Sequence, residues 1–386
     1  MADSRRLKVL FMTSWYPTKE QPVGGVFVRE HAKAVRLYDE VVVLHCAGPK
    51  AGLKRSWWME QETNKDLTED LPTYRVMSRP SPIPKTWYFF YLLSVWRAFR
   101  RIVTQGFRPD IIHAHVYTAG VPAVLIGKLY HIPVVITEQS TEFPRKLLRG
   151  SAVWRARLAF QWADIVMPVS GSLKAAIEDY GIRARFRLVP NVVDTHLFHP
   201  GRSSNARNQL KHLLVVSLLD SSHKKGIPHL IKALSKLRDQ REDWHLDIVG
   251  DGPARDGYEE LSADLGITDK VTFHGLKSKP EVAHFMRRAD LFVLPSLWEN
   301  LPCVLLESMA SGLPMVSTRT GGTPEIVSQD VGILVPPGDE LQLSKAINQM
   351  LGSLDKYDRH LIAQKASRYS HNSVGLAYHS LYEDSI

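Results

Sequence analysis

The chain has 386 residues, more than one ordinary core accommodates, so two domains are expected. With 44% hydrophobic and 23% charged residues it reads as globular, and two cysteines, Cys46 and Cys303, exclude a disulfide-built scaffold and favour a reducing, cytoplasmic setting. The formal net charge of +9 is carried by residues 1–190 while 191–386 are slightly acidic; the first half therefore suits an anionic partner or a membrane surface, and without any helix-turn-helix, finger or RNA-binding signature a nucleic acid is not the expected one.

Arg5 and Arg6 precede only the short apolar run Val9–Met12, which reads as a first strand and not as a signal peptide. No stretch reaches the roughly eighteen apolar residues of a spanning helix. Val9–Met12, Val41–His45, Ile111–His115 and Val134–Thr137 are β-branched runs separated by helical spacing, the pattern of a parallel sheet with crossover helices. Gly24-Gly25 precedes a helix beginning at Val26, an arrangement that seats a phosphate on helix-start N–H groups or simply makes a tight turn. Residues 46–85 contain Trp57-Trp58 and Pro49, Pro72, Pro80, Pro82 and Pro84, and read as loop. In Trp87–Val103, Phe89, Leu92, Leu93, Trp96, Phe99 and Val103 recur at helical spacing, which predicts a core-facing helix; the same aromatics beside Arg97, Arg100 and Arg101 also suit a membrane interface.

His113 and His115 stand at the carboxyl end of a strand, where open α/β sheets bind ligands, and His115 leads into a loop, Val116–Gly120. Thr137–Thr141 closes the next strand with polar groups, Gln139 among them. Arg145, Lys146 and Arg149 then supply a basic run, either an anionic-acceptor contact or plain solvated surface. Strand Asp164–Ser170 and helix Leu173–Asp179 follow. A first domain of residues 1–195 is expected to end before the polar stretch Pro200–Gln209, with a second domain over 196–368 and a last helix in 369–386.

From Leu213 the alternation becomes cleaner. Strands Leu213–Leu219, His245–Val249, Val271–Phe273 and Leu291–Leu294 each run into a polar or glycine turn: Lys224-Lys225-Gly226, Gly250-Asp251-Gly252, His274-Gly275-Leu276, and Glu299. Groups at successive carboxyl ends converge on one crevice, so a single ligand bearing phosphate and hydroxyl groups accounts for all of them. Glu299 and Glu307 differ by about 80° and 12 Å on a helix, too far to share a face, so a helix start must divide them. Asn300 reads as the N-cap and Pro302 as first turn, placing Glu307 about two turns inside. Amides around Cys303 and Val304 are then positioned for a diphosphate, and a glutamate for a vicinal diol. The bland alternative is an end charge and a surface residue; a hydrolase acid–nucleophile pair is a third reading, which gives the lysine and glycine turns no role.

The run from Pro295 to Glu299, with Glu307-Ser308-Met309-Ala310, Gly312-Leu313-Pro314 and Gly321-Gly322-Thr323-Pro324-Glu325, resembles the retaining family 4 glycosyltransferases of the GT-B fold, and Gly24-Gly25, His113-Ala114-His115, Lys225-Gly226, Gly250 to Pro253 and His274-Gly275 extend the similarity along the whole chain. The resemblance implies two Rossmann-like parallel-sheet domains facing a central cleft, with the last helix crossing back to the first domain. It implies a nucleotide-diphosphate sugar donor, a UDP- or GDP-sugar, with no cofactor or metal, and a glycan or lipid-linked acceptor. Glu307 would hold the ribose, Glu299 the transferred sugar, and Lys225 the leaving diphosphate; backbone near Leu276 would read the base and Gly25 would approach the phosphates. Catalytic roles fall on Glu299, Lys225 and His115; Asn300, Lys224, Gly252 and Gly275 complete the donor side, and Gln139, Arg145, Lys146 and Arg149 are acceptor-side candidates. Two departures stand out: Leu218 where many relatives carry arginine, with Lys224 as substitute, and Gln139 where many carry histidine. They leave a sugar-nucleotide epimerase or hydrolase, or a silent nucleotide-sugar binder, as alternatives.

Overall fold

In this computed structural model, which describes residues 6–50, 57–80, 86–201 and 210–386, the apolar runs read as strands lie in two sheets. The first sheet contains β1 (Lys8–Thr13), β2 (Glu40–Pro49), β3 (Trp57–Gln61), β4 (Thr73–Ser78), β5 (Ile111–His115), β6 (Val134–Glu138) and β7 (Ile165–Pro168), in the order β3-β4-β2-β1-β5-β6-β7. Its neighbours are parallel except for the edge pair β3–β4. The second is wholly parallel: β8 (Lys211–Val216), β9 (Trp244–Val249), β10 (Val271–Phe273), β11 (Leu291–Leu294), β12 (Met315–Thr318) and β13 (Gly332–Val335), in the order β10-β9-β8-β11-β12-β13. Helices cover both faces of such sheets, which is why β5, β6 and β11 are buried at every residue and read as continuous apolar runs. The chain divides into two units, Met1–Val192 with His371–Ile386, and Val193–Ser370.

Three local expectations are corrected. The described part of residues 46–85 is not all loop: β2 continues to Pro49, and β3 and β4 extend the sheet with a short helix Lys65–Thr68 between them. Pro72 and Pro80 misled because they flank β4 without interrupting it, a position proline tolerates. Arg5, Pro82, Pro84 and the linker positions 202–209 lie outside the described residues. In the helix Trp87–Thr104 the buried face is Tyr91, Ser94, Val95, Ala98, Phe99 and Ile102. Only Phe99 belongs to the expected face; Phe89 is 64% exposed. Apolar residues on several sides gave two competing stripes, about a third of a turn apart, and spacing alone could not choose between them. Finally, Val116–Gly120 is not a loop, since a helix runs from Tyr117 to Tyr130.

The terminal helix His371–Glu383 packs on the helix Val26–Arg36 so closely that a β-carbon at Gly375 would lie 2.2 Å from the Ala34 carbonyl oxygen. Tyr378 and Tyr382 enter the first unit's core and are fully buried. The Tyr378 hydroxyl lies 2.5 Å from His31 Nδ1 and 3.1 Å from Thr137 Oγ1, and the Tyr382 hydroxyl lies 2.6 Å from His113 Nδ1. His379 Nδ1 meets Asp39 at 2.9 Å. Hydrogen bonding satisfies these buried polar groups, which would otherwise be costly.

Burial disfavours the imidazolium form, pushing His31 and His45 down to about 4 and His113 and His115 well below the ordinary histidine range. These rings stay neutral in the fold but take up protons on unfolding below about pH 6.5, so stability is present above that pH and lost as pH falls toward the folded-state values. Buried Glu138, pushed up to about 7, and Asp39, raised by burial, work in the opposite sense but are two groups against four. The thermal midpoint should therefore fall between pH 7 and pH 5 in circular-dichroism melts; a midpoint that rises over that interval contradicts the neutral cluster.

Candidate active site

In the second sheet β8 and β11 are neighbours whose onward connections run in opposite directions, which opens a crevice beyond their carboxyl ends. The loops leaving these strands carry Lys225 and Glu299. Lys225 Nζ donates to Glu299 Oε1 at 2.6 Å, and Ser296 Oγ donates to the same oxygen at 2.8 Å. The Glu299 side chain is only 8% exposed and that of Lys225 26%. Burying a carboxylate is costly, and here the lysine and the serine hydroxyl offset that cost.

Backbone packing makes the meeting possible. Gly226, with φ 68°, opens the helix Ile227–Arg238, and a β-carbon there would lie 1.9 Å from the Pro295 carbonyl oxygen. Gly321, with φ 51°, would likewise bring a β-carbon within 1.8 Å of the Glu299 carbonyl oxygen. Only glycine allows both the left-handed backbone and the approach. The turn after β9 is joined to its neighbours by Gly250 N–H to the Gly275 carbonyl at 2.9 Å, Leu219 N–H to the Asp251 carbonyl at 3.0 Å, and Gly252 N–H to Asp251 Oδ1 at 2.8 Å. Leu276 follows with its side chain half exposed. Lys224 Nζ sits 3.3 Å from Asp220 Oδ2, and Leu218 is exposed.

The helix after Glu299 runs from Cys303 to Ala310 and its N-cap is Pro302, with no side-chain capping bond. Asn300 is thus not the cap: it is buried, and its carbonyl accepts from Gly322 N–H at 2.6 Å. The late start places Glu307 one turn inside, not two. Along this helix only Cys303, Val304 and Glu307 keep accessible surface. At 100° per residue they form one stripe, so the helix is core on all sides but the one bearing these three residues.

In the first unit, Gly25 (φ 68°) opens the helix Val26–Arg36, and a β-carbon there would fall 2.5 Å from the Trp15 carbonyl carbon. Gly24 precedes it, its N–H donating to the Gln21 carbonyl at 3.1 Å. His113 is bound to Tyr382 and to Thr137 and belongs to the core. His115 has no exposed surface: its ring lies among Phe11 at 5.1 Å, His113 at 4.4 Å and His31 at 5.4 Å, and neither buried ring nitrogen has a hydrogen-bond partner among the described residues. Gln139 is nearly buried, while Arg145, Lys146 and Arg149 are exposed.

Two residues of evident importance had no sequence signal of their own. Ser296 holds the shared Glu299 oxygen. Glu138, fully buried, accepts backbone N–H bonds from Tyr117 at 2.9 Å, Gln139 at 2.9 Å and Ser140 at 2.6 Å, tying the loop after β6 to the helix after β5. Among the described residues no group of three or more His, Cys, Asp or Glu is placed to hold a metal ion, and no helix is long and apolar enough to cross a membrane.

Residues 24–197 match the family Glycosyltransferase Family 4, and residues 202–368 match Glycosyl transferases group 1. The chain is 27% identical over 360 residues to the MMP alpha-(1->4)-mannosyltransferase of Mycolicibacterium hassiacum, covering 85% of this chain and 86% of that one. It is 24% identical over 348 residues to the alpha-monoglucosyldiacylglycerol synthase of Streptococcus pneumoniae, covering 84% and 77%. Anabaena HepE, solved in complex with UDP, superposes with a TM-score of 0.78 at 21% identity, over 98% of this chain and 100% of that one. Two parallel-sheet domains, a site at the strand switch point of the second, and family matches over most of both halves make this chain a GT-B glycosyltransferase of family 4.

Proposed function

We propose that the protein is a retaining, metal-independent glycosyltransferase. It moves a hexose or N-acetylhexosamine from a UDP- or GDP-sugar to a glycan or lipid-linked acceptor in cell-surface polysaccharide, exopolysaccharide or lipopolysaccharide synthesis, at the cytoplasmic face of the membrane. The observation that carries this reading is the Lys225–Glu299–Ser296 constellation at the switch point, beside the accessible stripe Cys303, Val304 and Glu307.

As the bond between the anomeric carbon and the diphosphate breaks, negative charge develops on the leaving phosphate. Lys225 and the N-terminus of the helix Cys303–Ala310 provide positive charge there without reorganisation. Lys225 then serves both phosphate and Glu299, and the Glu299 carboxylate is partly released to accept from a sugar hydroxyl. Glu307 holds the ribose diol, and the turns at Gly252 and Gly275 with Leu276 border the base. Gln139, Arg145, Lys146 and Arg149 serve the acceptor. Lys224, engaged with Asp220, has a secondary electrostatic part. His115 receives no proton-transfer role here, because full burial keeps it neutral and away from solvent. The likeness to HepE, solved in complex with UDP, supports a nucleotide donor, and the similarity to an enzyme named for a glucosyldiacylglycerol supports a lipid-linked acceptor.

Loss of a charge-assisted hydrogen bond costs about 1.5–3 kcal/mol, roughly ten- to a hundredfold. Glu307→Ala should raise the donor KM by that factor with kcat little changed, whereas Glu299→Ala should lower kcat; unchanged donor kinetics in both variants removes the assignment. Proton NMR of the first-formed product should show the donor's anomeric configuration, and inversion contradicts the retaining proposal. A maleimide should modify half-exposed Cys303 and spare buried Cys46 in the folded protein. Saturating nucleoside diphosphate should slow that reaction; equal rates with and without it place the ligand elsewhere.

A further inference from the structure

We propose that the first unit carries a docking surface for an anionic lipid bilayer, built from the first turns of the helices Trp87–Thr104 and Ser151–Trp162 and the loop after β6. Helices joining parallel strands run antiparallel to them, so these first turns lie at the carboxyl edge of the sheet. The connections β4 to β5, β5 to β6 and β6 to β7 all step the same way across the sheet, which places their helices on one face. Side chains confirm the layer: Trp96 Nε1 donates to the Tyr130 hydroxyl at 3.1 Å, and the Arg155 guanidinium lies 5.1 Å from the centre of the Tyr88 ring.

Trp87, Phe89, Phe90, Leu147 and Trp154 are exposed at this edge, Trp154 to 62%. Scattered exposed apolar residues are ordinary, but adjacent aromatics at one edge of one face are not. Beside them Arg145, Lys146 and Arg149 are exposed. The three helices of the layer contain Arg97, Arg100, Arg101, Lys128, Arg155 and Arg157 and no Asp or Glu. From Gln139 to Trp162 the one carboxylate is Glu142, which accepts from the Tyr117 hydroxyl at 3.0 Å and from Ser140 Oγ at 3.3 Å. Exposed aromatic rings together with Arg145, Lys146 and Arg149, for which no ion pair occurs among the described residues, fit the headgroup region of an anionic leaflet, where apolar rings insert and cations meet phosphates. The charge complementarity selects lipid over a protein partner. The inference rests on the proposed function in one respect, since Arg145, Lys146 and Arg149 are also its acceptor-side residues, and the surface would bring a lipid-linked acceptor to the sheet edge that bears Gln139.

The test is flotation of the full-length protein with vesicles of phosphatidylcholine alone or mixed with phosphatidylglycerol, which needs neither donor nor turnover. Binding should require phosphatidylglycerol and weaken with salt. Phe89→Ser with Trp154→Ser should reduce partitioning by at least roughly tenfold, and Arg145→Glu with Arg149→Glu by at least roughly 25-fold, at about fivefold per cation. Leu361→Ser, at an exposed site of the second unit, should bind as the parent does. Matching melting curves establish that each variant is folded. The proposal fails if the parent does not float with anionic vesicles, or if all variants float equally. It fails equally if the Phe89/Trp154 substitution abolishes a self-associated or protein-bound state while lipid binding is absent.

Discussion

The nearly buried carboxylate of Glu299 is compensated by the ammonium of Lys225, and that pairing fixes the geometry of the second-unit site. Glu299 is held by Lys225 at 2.6 Å and by Ser296 at 2.8 Å, from loops that follow two adjacent strands. For these side chains to meet, the backbones behind them must nearly touch, and Gly226 and Gly321 permit that contact against Pro295 and Glu299 carbonyls. The same crowding leaves the helix Cys303–Ala310 buried except along Cys303, Val304 and Glu307. Charge compensation, loop approach and helix placement are thus one constraint. In the proposed reaction an arriving diphosphate would compete for the lysine on which that constraint rests.

The first unit solves a different problem. Its core holds the imidazoles of His31 and His113 and the hydroxyl of Thr137 where water is excluded, and the terminal helix supplies the tyrosines that hydrogen-bond to them. The chain's last residues therefore belong to its first core, with Gly375 setting the closeness of the two helices. Neutral histidines suit this role because they offer both a donor and an acceptor without the cost of a buried charge.

Much of the fold was legible because strand and helix periods are strong signals: each β-branched run became a parallel strand, and the glycine turns mark strand ends. The reading failed where signals were duplicated or masked. Trp87–Thr104 has apolar residues on several sides, so its buried stripe depends on neighbours the sequence does not display. Prolines beside β4 hid a strand that they only flank. The helix start moved from Asn300 to Pro302 because the Asn300 carbonyl is taken by Gly322, a partner 22 residues away. The pairing of Lys225 with Glu299 was invisible at a separation of 74 residues, although both residues were singled out for their chemistry. His115 looked accessible from its place at a strand end, yet three rings enclose it.

We propose that Lys225 receives the diphosphate and that Glu299 holds the lysine until it arrives. Calorimetric titration of UDP and GDP into the parent, Lys225→Met, Glu299→Gln and the double variant tests this directly. For the nucleotide that binds, Lys225→Met should weaken binding by roughly ten- to a hundredfold. Glu299→Gln should preserve or tighten it, because the ammonium loses its internal competitor, and the double variant should resemble Lys225→Met. Equal weakening by both single substitutions, or undiminished binding to Lys225→Met, would contradict the account.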